Sequence, residues 1–146
     1  MVEVDHATGE TLRHFGVLNE SYAFDPPDSR FVFQHGINYT DDGRLLLSCK
    51  EIGEYETLAR EYEVDDETRT LHQVWSFGQG EGIYGATAGE AHRLDNGNTL
   101  HNYGAHGSIR EVTDEGEIVW EVIWPSDNDR LIGRSIFLDD LYPLAP

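Results

Sequence analysis

Apolar and polar positions fall in short runs rather than at the spacing of a helix face. Leu45-Leu46-Leu47, Arg60-Glu61-Tyr62-Glu63-Val64, Gln73-Val74-Trp75-Ser76-Phe77 and Ile118-Val119-Trp120-Glu121-Val122 are each of strand length, and charged or glycine-bearing turns bound them. Alternation from Glu117 to Trp124 is imperfect and the apolar runs are long, as in strands covered on both faces. No segment of useful length carries a helical period. The pattern therefore predicts an all-β chain.

The runs repeat. Tyr39-Thr40-Asp41-Asp42-Gly43-Arg44-Leu45 leads to a strand at Arg60–Asp65 and a Trp-bearing strand at Gln73–Gly78, and Arg93-Leu94-Asp95-Asn96-Gly97-Asn98-Thr99-Leu100 leads likewise through Arg110–Asp114 to Ile118–Val122. The offset is 54 residues from Gly43 to Gly97 and 45 from Trp75 to Trp120, so the loops differ while the strands persist. A repeat of ~40–50 residues suits the four-stranded blades of a β-propeller. Asp42-Gly43 and Asn96-Gly97 are hairpin signals of the kind that needs positive φ, read here as two-residue turns. The prediction is β-propeller-like: two complete four-stranded antiparallel blades, 31–78 and 84–125, with a partial blade at 1–16 and a crossover into a further blade at 126–146. Pro26-Pro27-Asp28-Ser29 and Gly78-Gln79-Gly80-Glu81-Gly82 read as loops between them.

Composition adds a constraint on partners. The 146 residues fall in the range of one domain, and 38% hydrophobic content is enough for a packed core. Acidic residues number 28 against 10 basic, a net charge of -18, and Lys50 is the sole lysine. That balance excludes a phosphate-tracking surface, so nucleic acid is not an expected partner. Self-repulsion of this size is screened in concentrated salt, where the Debye length falls to ~3 Å at 1 M, and halophilic adaptation is the favoured reading over calcium binding or solubility alone. No D-x-D-x-D-G-x5-E calcium loop is present. Cys49, the single cysteine, allows neither an internal disulfide nor a thiolate metal site and reads as a half-buried strand thiol. No run approaches the ~18 apolar residues of a membrane span, so no membrane insertion is expected. The acidic opening Met1-Val2-Glu3-Val4-Asp5 is unlike a signal peptide; the chain as written reads as soluble, with its compartment unknown and the cytoplasm favoured.

Gln34-His35-Gly36-Ile37-Asn38-Tyr39-Thr40-Asp41-Asp42-Gly43, and the ordered set H-R-L-D-N-G-N-T-L, G-S-I-R-E-V-T-D-E-G-E-I-V-W-E and W-P from His92 to Pro125, resemble the arylsulfotransferase family. The shared grammar covers residues 2–125. The resemblance implies a propeller that moves a sulfuryl group between phenols through an axial histidine, aided by further His and Arg. His35 occupies the Q-H position and is the candidate catalytic nucleophile, with Gly36 where the family has Asp or Thr. Counting from the two turns sets His35 opposite Gly89, so the histidine breaks the repeat; the competing reading is a hydrogen-bonded structural imidazole.

Arg60, His92 and His106 are the candidate substrate-binding residues. The loop Ser48–Glu56 stands where the family often has D-N-G followed by Arg, and here it carries three Glu and Lys50. Arg60 and Lys50 are the nearest substitutes for that anion clamp, although Arg60 by its strand position reads more simply as a surface charge. His92, His101 and His106 lie within fifteen residues but show no H-x-H spacing, so no metal site and no cofactor is expected. Trp75, Trp120 and Trp124 read as rings wedged between blades. Partners implied are a phenolic or sulfate-ester small molecule and, because terminal blade faces need cover, further copies of the chain or a partner chain completing the ring. A non-catalytic propeller module for binding or assembly is the alternative function.

Overall fold

The computed structural model describes residues 1–51, 53, 55–124 and 131–138. The described residues are all-β, with eleven strands in three sheets and two short 3-10 turns at Pro27–Ser29 and Gly104–His106. Strands β1 (Val2–Val4) and β2 (Thr11–His14) form an antiparallel pair. The next sheet joins β4 (Phe31–Tyr39), β5 (Leu45–Glu51), β6 (Thr57–Asp65) and β7 (Thr70–Phe77) as an antiparallel meander. The last sheet is a second meander of β8 (Glu90–Arg93), β9 (Thr99–Asn102), β10 (Ser108–Val112) and β11 (Ile118–Ile123). Each repeat read from the sequence thus contains one four-stranded antiparallel meander. Among the described residues the sheets do not close into a barrel.

The hairpins are tight for a different reason than the two-residue turn expected. Gly43 N–H donates to the Thr40 carbonyl (2.9 Å) and Thr40 N–H to the Arg44 carbonyl (2.8 Å); Leu94, Gly97 and Asn98 repeat the pattern at 2.9 and 2.8 Å. Only the glycines have positive φ, 83° at Gly43 and 87° at Gly97. Each loop is therefore three residues long, a turn closed by a left-handed glycine that re-enters the ladder as a bulge.

An unforeseen short strand, β3 (Ala23–Asp25), runs parallel to β7 and covers the outer edge of the first meander. It immediately precedes Pro26-Pro27, which turn the chain from that edge toward β4.

Alternation assigns the two faces of β5 to two cores. Leu45, Leu47 and Cys49 pack with Phe15, Tyr22, Phe31 and Tyr62, while Leu46 packs with Ala59, Trp75 and Phe77 of its own sheet and with Ala91, Tyr103 and Val112 of the second meander. This double burial explains the unbroken apolar run: each such side chain contributes about 1.5–3 kcal/mol on leaving water, whichever face it takes. Cys49 is fully buried rather than half-buried, and desolvation pushes its thiol up to about 12, with Arg60 opposing and Glu51 adding to the shift.

Polar contacts pin the two meanders together. Arg93 pairs with buried Glu61 at 2.6 Å, Trp75 Nε1 donates to the Asp114 carbonyl at 2.9 Å, and Asn38 Nδ2 donates to the Ala91 carbonyl at 2.8 Å. Trp75 is wedged between sheets as expected, at 9% exposure. Trp120 and Trp124 are not: they stand 48% and 49% exposed, because no described sheet covers that face. Residues 131–138 lie against the same end, with Ser135 bound to Glu90. The remainder of the expected crossover, 126–130 and 139–146, lies outside the described residues, as does Pro125 at the end of the expected second blade.

Candidate functional site

β4 and β8 are the edge strands of their sheets, and they run beside each other. Gly36 sits at this junction with φ 55°, and a Cβ there would lie 2.6 Å from the Glu90 Cα. Only glycine fits that close approach, which accounts for the departure from the Q-H-[DT] pattern.

His35 pairs in register with Ser48, between two breaks in the β4–β5 ladder. It is half-buried, and no described residue offers its imidazole a hydrogen bond, whereas His14, His72, His92, His101 and His106 each have a partner.

His92, on β8, places Nε2 3.3 Å from Glu90 Oε2. Glu90 is itself buried and receives Ser135 N–H at 2.8 Å and Arg134 Nε at 3.2 Å. Burial pushes the Glu90 carboxyl upward, but the Ser135 amide, His92 and Arg134 together outweigh it and hold the group below its ordinary range. His106 lies between β9 and β10 with Nδ1 2.8 Å from Ser108 Oγ. The structure thus brings the strands of His35 and His92 side by side and ties both His92 and His106 into local contacts.

Arg60 is not a surface charge. It is 1% exposed, donating to the Ser29 carbonyl at 2.7 Å and to Glu51 Oε2 at 3.0 Å. It pairs with Leu47, whereas His35 pairs with Ser48, so Arg60 belongs to the opposite face of the sheet. The strand pattern concealed this, because a lone arginine between strand residues gives no sign of a carbonyl and a carboxylate waiting beneath.

Two residues named from the sequence have surroundings that the residue pattern did not foretell. His101 is fully buried, its Nε2 3.1 Å from Ser48 Oγ, and desolvation with the nearby Arg110 charge pushes it down to about 3. It is a neutral imidazole at any ordinary pH. Lys50, opposite Val32 in the ladder, lies with Nζ 4.1 Å from the Tyr84 ring centroid and 5.1 Å from that of Phe33. Phe33 itself holds φ 51°, a conformation that no pattern of residue types signals. Among the described residues no three His, Cys, Asp or Glu side chains converge to hold a metal ion. No described helix is long and apolar enough to cross a membrane.

The family model described as arylsulfotransferase (ASST) matches residues 49–131, which is 83 of the 146 positions. The chain belongs to the arylsulfotransferase family. The matched stretch runs from β5 through β11, so it takes in both meanders but not β4 with its histidine. No curated protein matches. Among solved structures, a protein of unknown function from Bacteroides caccae is similar at 16% identity and a TM-score of 0.44, over 62% of this chain. The chain spans 31% of that protein's length.

Proposed function

We propose that this arylsulfotransferase-family chain is a segment of a β-propeller, with blades at 31–78 and 84–125 and partial blades at 1–16 and 126–146, that transfers a sulfuryl group between phenolic compounds. The observation that carries the proposal is His35: an imidazole without a hydrogen bond among the described residues, on an edge strand broken on both sides of it. In the reaction an imidazole nitrogen forms a bond to sulfur as the ester S–O bond breaks and the phenolate leaves. A second phenol then attacks sulfur, the N–S bond breaks, and the imidazole returns to its starting state. His92, exposed over about a third of its side chain on the strand next to β4, is the candidate to donate to the sulfuryl oxygens. Arg60 is committed to Ser29 and Glu51, and in this reading it fixes the sheet and not the anion. Turnover of 4-nitrophenyl sulfate with a phenol acceptor in molar KCl is expected to disappear in His35→Ala; equal rates in the two chains exclude the mechanism.

A second reading is favoured by a different observation. The edge strand β11 is open, with Trp120, Val119 and Ile123 each about half exposed, as suits a module that assembles with further copies or with another chain completing the ring. Halophilic adaptation fits the same surface, since salt screens the net charge of -18 and strengthens apolar burial together. Light scattering in molar KCl is expected to give a mass above 16.5 kDa, and a folded monomer excludes self-assembly.

A further inference from the structure

Acidic residues outnumber basic ones 28 to 10, yet the sole lysine forms no ion pair with a described carboxylate. Lys50 instead donates to the Ala86 carbonyl at 3.3 Å and presents its ammonium to the faces of Tyr84 and Phe33. Tyr55 packs edge-on against Tyr84, centroids 5.9 Å apart. The arrangement opens on a cavity of about 480 Å³ lined by Val32, Phe33, Lys50, Tyr55 and Tyr84 and also by Glu51, whose carboxylate is paired with Arg60 at 3.0 Å.

Its exposure pattern runs against ordinary packing. Lys50 is 7% exposed, whereas Phe33 and Tyr55, the aromatic walls, are 68% and 80% exposed. A charged side chain that is buried beneath rings left in water is inverted relative to a core. The backbone pays for it as well, since Phe33 adopts positive φ within the ladder break that turns its ring outward. An ammonium has three N–H donors, and among the described residues only one has a hydrogen-bond partner, the Ala86 carbonyl.

We propose that Phe33, Lys50, Tyr55 and Tyr84 form a binding site for a flat aromatic ring carrying one anionic group. The ring lies against the exposed aromatic faces and edges, and the anion takes the free N–H donors of Lys50. The two aromatic faces already on the ammonium keep it in place when the site is empty. The site deepens the sulfuryl-transfer reading, which supplies a sulfate ester as one such anion, but binding here does not require transfer. His35 is not among the lining residues.

Isothermal titration of the full chain in molar KCl tests this with four probes: 4-nitrophenyl sulfate, 4-nitrobenzoate, 4-methylphenol and inorganic sulfate. Both aromatic anions are expected to bind saturably, and the neutral phenol and inorganic sulfate about tenfold or more weakly. Lys50→Met is expected to lose about tenfold in affinity for the aromatic anions, with Lys50→Arg retaining most of it. Tyr55→Ser, at an exposed loop position that the fold does not depend on, is expected to lose several-fold and serves if Lys50→Met fails to fold. Unchanged affinity in Tyr55→Ser and Lys50→Met, equal affinity for inorganic sulfate, or no saturable binding overturns the site and marks Lys50 as structural. Binding that follows these expectations without any turnover keeps the site and removes the transfer reaction; turnover that survives Lys50→Met with unchanged KM does the reverse.

Discussion

Trp75 and Trp120 hold the same place in the two repeats and live in different surroundings. Trp75 is buried, gives its indole N–H to Asp114 and lies under the Arg93 guanidinium at 5.2 Å, while Trp120 stands half in water on a face that no described sheet covers. The same contrast runs through whole strands. β5 is buried along nearly its full length and β11 is exposed along nearly all of its own, though both are apolar in sequence. The lesson is that one grammar of strands yields stability only where a second sheet stacks on the first.

The comparison can be broken by substitution. Leu46→Ala, inside the seam between the meanders, is expected to cost about 2–5 kcal/mol, and Val119→Ala on the open face less than about 0.5 kcal/mol. Chemical denaturation at fixed salt measures both. A large loss at Val119 means that this face is covered in solution.

Acid sharpens it next, because the seam holds His101. Its folded pKa of about 3 is depressed from 6.5, so the unfolded chain binds the proton more readily. The contribution of neutral His101 is fully present above about pH 6.5 and is lost as pH falls toward 3, at up to ~1.4 kcal/mol per pH unit. His101→Gln is expected to flatten that limb of the stability profile; an unchanged acid limb removes His101 as its cause.

Smallest is the indole hydrogen bond. Trp75→Phe is expected to lose about 1–2 kcal/mol through the bond to Asp114 and the smaller ring, and Trp120→Phe to change stability by less than half of that. Equal effects in thermal melts contradict the difference in burial.

Most of the fold was legible because turns and strand alternation are local. The D-[DN]-G segments announced the hairpins, although the bulged three-residue loops depend on which residue alone takes positive φ. β3 was hidden: Ala-Phe-Asp carries no pattern, and its pairing with β7 closes across more than forty residues. The site was less legible. His35 stood out by breaking the repeat, but the burial of Arg60 depends on Ser29 and Glu51 converging from other elements. The aromatic surroundings of Lys50 depend on the backbone of Phe33 and a loop at Tyr84, which nothing in the residue spacing connects.

The claim that this chain moves a sulfuryl group rests on a covalent intermediate at one atom. Rapid quenching after mixing with 4-nitrophenyl sulfate, followed by peptide mass mapping, is the most direct test. The account predicts a sulfuryl adduct on the peptide containing His35, absent when an acceptor phenol is in excess. Turnover with no adduct, or an adduct confined to another residue, contradicts it.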